Sequence, residues 1–176
     1  MEFKKITLNN FGIYYGKNTI DLSVDNNNII LIGGENGAGK TTLIEALKLV
    51  LYGSVSQGFK TTNSKYKEYI KEFFNYKAKS ENKEIISLKL DMKINFKGNK
   101  KNFIITRRWY PRDNFKEELM IKNMDEEKWE DNFSFQNYFR KYFPPALFDF
   151  FIFDGEIINN LIYSEEFTNE LESIIK

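Results

Sequence analysis

The chain of 176 residues contains no cysteine and no histidine. Without cysteine there are no disulfides, no thiol nucleophile and no thiolate metal site. Without histidine, Ser-His and Cys-His catalysis are excluded, and so is zinc held by imidazole. Any metal must be bound by oxygen ligands, a donor set that suits Mg²⁺. Proline is scarce, at 3 residues. No apolar run approaches the roughly 18 residues needed to span a bilayer. The N-terminus, M-E-F-K-K-I-T-L, has no signal-peptide core, so the expected location is cytoplasmic. Charge of one sign is lacking too: 26 Lys and Arg stand against 25 Asp and Glu, a net charge of +1, so no global basic bias argues for nucleic acid.

What is present is an ordinary soluble composition, 41% hydrophobic and 29% charged, enough for one domain with a real core. Aromatics are plentiful, with 17 Phe and 10 Tyr. Lysine greatly outnumbers arginine, and Asn and Ile are abundant, as an A/T-rich coding sequence gives.

The most informative stretch is residues 34–41, G-E-N-G-A-G-K-T. This is the phosphate-binding pattern G-x-x-x-x-G-K-[ST]. Backbone N–H groups of such a loop curl around phosphate oxygens, Lys40 reaches the β- and γ-phosphates, and Thr41 holds Mg²⁺ through its hydroxyl. Residues 28–32, N-I-I-L-I, form a short β-branched run that reads as a buried strand. Residues 42–52 carry apolar groups at helical spacing and stop at Gly53. Strand, loop and helix aim a helix N-terminus at an anion. Lys40 in the first helical turn opposes the helix dipole, a placement that a bound anion explains.

The rest of the chain divides by pattern. Residues 3–8 and 18–22 read as strands flanking a turn-rich aromatic loop, and residues 54–64 as a polar, mobile link. Residues 65–76 have helical spacing. Residues 86–96 alternate cleanly, with Ile86, Leu88, Leu90, Met92, Ile94 and Phe96 on one face. Gly98-Asn99 marks a hairpin turn, residues 103–110 the return strand, and residues 119–122 a third strand. Residues 124–131 read as an acidic loop and 134–142 as a helix with Ser134 as its N-cap, broken by Pro144-Pro145. Arg107, Arg108 and Arg112 cluster on the return strand. They fit either DNA phosphate contact or, the favoured reading, solvated charges on an exposed face. Phe103, Trp109 and Tyr110 read as core rather than as base-stacking platforms. The pattern is an α/β head with an added antiparallel sheet, without internal repeats.

A second candidate site is F-I-F-D-G-E at residues 151–156. In one reading residues 150–153 form an apolar strand, Asp154 is the magnesium-side carboxylate and Glu156 the base that activates water. In the other, a buried strand ends in an Asp-Gly turn, and Glu156 opens the next helix as a favourable charge. Helical patterning then runs from 156 to 176.

Three stretches together, M-E-F-K-K-I-T-L-N-N-F-G-I-Y-Y-G, L-I-G-G-E-N-G-A-G-K-T-T-L-I-E-A-L-K-L-V-L-Y-G and P-P-A-L-F-D-F-F-I-F-D-G-E-I-I, resemble the N-terminal part of the DndD family. These are SMC-like ATPases of bacterial DNA phosphorothioation, related to the SMC, RecF and RecN proteins. The resemblance implies the N-terminal lobe of an ABC/SMC-like P-loop ATPase head over residues 1–163, with 164–176 as the helical start of a coiled coil. It implies that Gly34, Asn36, Gly37, Ala38, Gly39, Lys40, Thr41 and Thr42 wrap the phosphates of ATP. It places Asp154 to Glu156 at the Q-loop position, giving Asp154, with Thr41, the magnesium role, rather than making Glu156 the base. Lys40 and Asp154 are then the catalytic candidates. Residues 10–17 would lie near the base and ribose.

The family's signature motif, adjacent Asp-Glu pair and switch histidine belong to its C-terminal half and have no counterpart in this sequence. No arginine lies just after Gly53, where SMC heads often place a DNA-sensing one, and Lys60 is a poor substitute. The chain therefore reads as half a head: an excised piece, a split gene product or a degraded remnant. The implied partners are the C-terminal half of the same head, a second head joined by ATP-dependent dimerisation, other DNA sulfur modification proteins, and DNA, with no membrane. Two alternatives stand beside it: a RecF, RecN or double-strand-break-repair head, or a stand-alone ATP-binding module that does not hydrolyse.

Overall fold

The computed structural model describes residues 1–24, 29–59 and 63–152. Six antiparallel strands form one sheet: β1 (Glu2–Phe11), β2 (Tyr14–Asp21), β3 (Ile86–Phe96), β4 (Asn99–Tyr110), β5 (Lys116–Asn123) and β6 (Lys128–Trp129), in the order β2-β1-β3-β4-β5-β6. Among the described residues five α-helices accompany it: α1 (Lys40–Tyr52), α2 (Ser64–Glu72), α3 (Tyr76–Ser80), α4 (Asn132–Tyr142) and α5 (Pro145–Phe151). The fold is the expected mixed α/β head with an antiparallel sheet.

The alternation in β3 determines which face is buried. Ile86, Leu88, Leu90, Met92, Ile94 and Phe96 all enter the core, while Lys89, Asp91 and Lys93 stay on the opposite face. Register carries the same face across the sheet through Leu88↔Leu8, Leu90↔Ile105 and Ile105↔Ile121. The phosphate-loop helix α1 packs on this face, burying Leu43, Ala46, Leu47, Leu49, Val50, Leu51 and Tyr52 and leaving Thr41, Glu45 and Lys48 on its more exposed side. An aromatic cluster closes the far end of the core. Phe96 stacks on Phe135 at 5.4 Å, Phe103 meets Phe135 edge-on at 4.9 Å, and Tyr52 lies 5.7 Å from Phe139.

Several boundaries differ from the pattern reading. The β3–β4 turn is centred on Lys97 and Gly98, both left-handed, so β4 already begins at Asn99. Asp131, not Ser134, caps α4: its carboxylate accepts from the Ser134 N–H at 2.8 Å, which holds its pKa below the usual range. The helical run 65–76 divides into α2 and α3, with Asn63 and Asn75 as N-caps. Residues Gly53–Gln57 form a 3₁₀ helix in what read as a mobile link.

Two apolar runs read as strands are not strands. Residues 29–32 belong to no strand among the described residues, and Ile29 and Leu31 are 82% and 93% exposed. β-branched composition favours a strand but cannot supply the neighbouring strand that makes one. Of the run 150–153, residues 150 and 151 end helix α5, which Pro145 opens in the first turn, where its missing N–H costs nothing. Phe150 and Phe151 are exposed rather than buried in a sheet.

Arg107 also departs from its reading. It is 3% exposed and points into the core, donating Nε–H to the Val50 carbonyl at 3.0 Å and pairing through Nη1 with Glu117. Glu117 also accepts from the Trp109 indole at 3.3 Å. Arg108 and Arg112 are the solvated pair, bridged to Glu118 and Glu84. Phe103 and Trp109 are core, as expected, whereas Tyr110 is only half-buried and donates its hydroxyl to Glu118.

Removing one partner of a buried ion pair leaves the other charge stranded. Arg107→Leu is therefore expected to lower unfolding stability by about 3 kcal/mol in urea titrations; a loss below about 1 kcal/mol would contradict the buried pair.

Candidate phosphate-binding site

The loop 34–39 leads directly into α1. Gly37 and Gly39 have φ of 81° and 94°, left-handed values that glycine adopts without strain. Ala38 N–H closes the loop on the Glu35 carbonyl at 3.1 Å. A Cβ on Gly34 would sit 3.2 Å from the Ala38 methyl. Gly39 is the helix N-cap and makes no side-chain cap bond, and the first turn of α1 holds no acidic residue. The helix end is thus left for an anion, with its dipole favouring one.

Lys40 arches over this loop. Its ammonium donates to the carbonyls of Gly34 at 2.9 Å and Glu35 at 3.1 Å. The Lys40 charge therefore sits at the mouth of the glycine cradle, beside the start of α1. Gly34, Asn36, Gly37, Ala38, Gly39, Lys40, Thr41 and Thr42 all lie within this one loop and first helical turn, as their sequence positions require. Asp154, Gly155 and Glu156 lie outside the described residues.

The β1–β2 hairpin turn presses on the cradle. A Cβ on Gly39 would come within 2.5 Å of Ile13 Cδ1 and 3.0 Å of the Tyr14 hydroxyl. That hydroxyl, whose pKa is raised by burial, lies 3.3 Å from the Gly39 carbonyl and donates to it. Gly12, at φ 56°, faces Thr42 so closely that a Cβ would overlap the Thr42 methyl. The turn is braced in its own right. Gly12 N–H donates to the Phe73 carbonyl at 2.7 Å, Asn75 donates to the Gly12 carbonyl at 2.8 Å, and Phe11 stacks on Phe73 at 4.8 Å.

Phe73 then meets Tyr69 edge-on at 5.1 Å, and the Tyr69 hydroxyl donates to Glu45 of α1 at 2.8 Å. Burial, then that bond, drives the Tyr69 pKa far above its ordinary value. Loop, hairpin, α2 and α1 form a closed ring of contacts around the cradle. The sequence sign of this ring is Gly12 in N-N-F-G-I-Y-Y-G; the remote partners Phe73 and Glu45 carry no local signal.

A divalent cation fits the donor chemistry present. Thr41 supplies a hydroxyl oxygen one residue past Lys40, and the chain offers no nitrogen or sulfur ligand in histidine or cysteine form. Among the described residues no group of three or more acidic side chains forms a metal cage of its own.

A glycine cradle with an arching lysine at an uncapped helix N-terminus, on a helix buried against a sheet, defines a phosphate-loop nucleotide-binding domain. The chain belongs to the AAA domain family, which it matches over residues 5–176. The fold is that of an SMC-type ATPase head. A solved chain described as "Structural biochemistry of ATP-driven dimerization and DNA stimulated activation of SMC ATPases" superimposes with a TM-score of 0.60 at 17% identity, covering 100% of both chains. In sequence, the chain is 44% identical over 52 residues to the SbcC component of the SbcCD nuclease of Staphylococcus aureus, in strains JH9 and Newman. That stretch is 29% of this chain and 5% of the relative, so the similarity covers a small part of a far longer protein. No helix among the described residues is long and apolar enough to cross a membrane.

Gly12→Ala is expected to lower stability by about 1–2 kcal/mol, from left-handed strain and the overlap with Thr42, and to weaken nucleotide binding. Thermal unfolding and nucleotide titration check this; wild-type behaviour in both would contradict the brace.

Proposed function

We propose that this chain is the ATP-binding N-terminal half of an SMC-like ATPase head. The cradle around Lys40 carries the reading: its ammonium sits against the Gly34 and Glu35 carbonyls, at the mouth of a loop that leaves the N-terminus of α1 without a side-chain cap. In this reading Gly34, Asn36, Gly37, Ala38, Gly39, Lys40, Thr41 and Thr42 bind the phosphates of ATP. Thr41 and Asp154 hold Mg²⁺, which supplies charge neutralisation on the β- and γ-phosphates when bound. The main-chain N–H groups and Lys40 orient the triphosphate, and the hairpin keeps the glycine backbone from moving away from it. Lys40 and Asp154 act catalytically in the complete protein.

Hydrolysis needs a base and a second surface over the γ-phosphate, which the C-terminal half of the same head and a second, ATP-joined head would contribute. The exposed apolar segment 29–32, leading directly into the loop, supports that reading: Ile29 and Leu31 are groups that a neighbouring strand would cover. The proposed division is a lobe at 1–163 and the helical beginning of a coiled coil at 164–176, in a cytoplasmic protein.

The finer assignment is a DndD-type ATPase acting in DNA phosphorothioation, with DNA and the other sulfur modification proteins as partners. The F-D-G-E segment after P-P supports it. A second reading, an SbcC-type ATPase working with a nuclease, has its own support in the 44% identity over 52 residues. Deleting the gene and measuring phosphorothioate in host DNA by mass spectrometry separates them: loss of the modification favours the first, an unchanged level the second.

The chain alone, with Mg²⁺ and ATP, is expected to show no turnover above a Lys40→Ala control, and to gain Lys40-dependent turnover when the C-terminal half of its head is added. Turnover by the chain alone, abolished in Lys40→Ala, would overturn the half-head reading.

A further inference from the structure

Two residues of the β1–β2 turn straddle Gly39 and act on it differently. Ile13 lies against it through a methyl group and stays exposed. Tyr14, the first residue of β2, is half-buried against the core and makes a directed contact: its hydroxyl donates to the Gly39 carbonyl at 3.3 Å. Burial raises its pKa above the ordinary tyrosine value, so the phenol keeps its proton at neutral pH and remains a donor.

The base of the hairpin aims this hydroxyl. Phe11 pairs with Tyr14 across the turn, past a register shift between Asn9 and Phe11. Asn10 lies in that shift, buried and with a left-handed φ of 56°. Its side chain accepts from the Gly16 N–H at 3.0 Å and donates to the Ile85 carbonyl at 3.0 Å. Its own carbonyl accepts from the Asn75 N–H at 3.1 Å. Tyr14 is therefore carried by a backbone that is bonded on both sides of the turn and has little freedom to withdraw.

The Gly39 carbonyl thus has two donors. The Leu43 N–H reaches it at 2.9 Å as the first intrahelical bond of α1, and the Tyr14 hydroxyl takes its second lone pair. A peptide unit is planar, so fixing this oxygen fixes the N–H on the opposite edge. That N–H belongs to Lys40, the first residue of α1, and is one of the amides that a helix leaves without an intrahelical partner. Glycine supplies no restraint of its own: without a Cβ, its φ of 94° and ψ of 15° are one position on a soft surface. With the Leu43 bond alone, the 39–40 peptide is free to tilt about that bond and swing the Lys40 N–H off the helix axis.

We propose that Tyr14 is a positioning residue for the phosphate site: its hydroxyl holds the Gly39–Lys40 peptide so that the Lys40 N–H faces an incoming phosphate. This rests on the reading of residues 34–42 as a phosphate cradle. The part of the ligand it serves is the polyphosphate chain, because the hydroxyl is spent on loop backbone.

The test uses the intact chain with Tyr14→Phe, which keeps the ring and removes only the hydroxyl, and Lys40→Ala alongside. Affinities for ATP and for inorganic tripolyphosphate are measured in Mg²⁺, and backbone amide relaxation dispersion is recorded without ligand. Tyr14→Phe is expected to weaken both ligands about fivefold, the scale of one hydrogen bond. It is also expected to bring conformational exchange to the Gly39 and Lys40 amides that the unaltered chain lacks and that tripolyphosphate suppresses. Unchanged affinities in Tyr14→Phe, with both lost in Lys40→Ala, overturn the role of Tyr14 and leave the cradle standing. Weaker binding with exchange spread over the hairpin and α2, rather than centred on Gly39 and Lys40, overturns it as well, since a merely structural prop behaves that way. Loss of ATP affinity with tripolyphosphate unaffected overturns it too, by placing Tyr14 at the nucleoside. No binding by the unaltered chain, or full binding by Lys40→Ala, overturns the cradle reading itself.

Discussion

Gly39 has room for no side chain. Its φ of 94° is left-handed, and the Ile13 and Tyr14 side chains occupy the space a Cβ would need. Helix α1 can begin where it does only because the chain turns at this residue. The position of its first N–H groups, of Lys40 and of Thr41 follows from that turn. The hairpin that crowds Gly39 is itself held by Phe73 and Asn75, so the loop is pressed into shape from outside as well as by its own Ala38 and Lys40 bonds. Preorganisation of this kind matters for a phosphate site, because donors already aimed need not be ordered when the anion arrives.

The other end of α1 is held by different physics. Arg107 brings a cation to the helix C-terminus, where the dipole favours it, and donates to the Val50 carbonyl. It lies against Gly53, where a Cβ would come within 2.6 Å of Nη1. Glu117 neutralises it. Together these place a charged clamp from β4 and β5 at one end of the helix and a glycine cradle at the other, with an apolar body between.

Legibility from sequence followed the range of the interactions. The cradle was readable because its requirements are local: left-handed glycines, a lysine and a hydroxyl in fixed order. The end of α1 at Gly53 and the buried face of β3 were readable because period and helix stop are local as well. Residues 29–32 and 150–151 were misread for a common reason. Both are short apolar runs, and such runs acquire strand or helix character from what lies beside them. Pro145 was the local sign of a helix start in the second. Arg107 was misread because its partners, Val50 and Glu117, lie 57 and 10 residues away, and a row of arginines on a strand looks the same whether solvated or buried. Asp131 displaced Ser134 as the α4 cap because both are good N-cap residues and only the first stands where its carboxylate meets an unpaired N–H of the first turn. Asp154 lies outside the described residues, so its assignment stands on sequence.

The most direct test of the central claim, that the loop from Gly34 to Thr42 is a phosphate cradle, is a backbone amide NMR titration of the chain with Mg²⁺-ATP. The largest shifts are expected at Gly37, Gly39, Lys40 and Thr41, with smaller ones at Gly12 and Tyr14 through the hairpin contact. Saturating ATP that leaves those amides unmoved, or moves a different set of residues, would contradict the account.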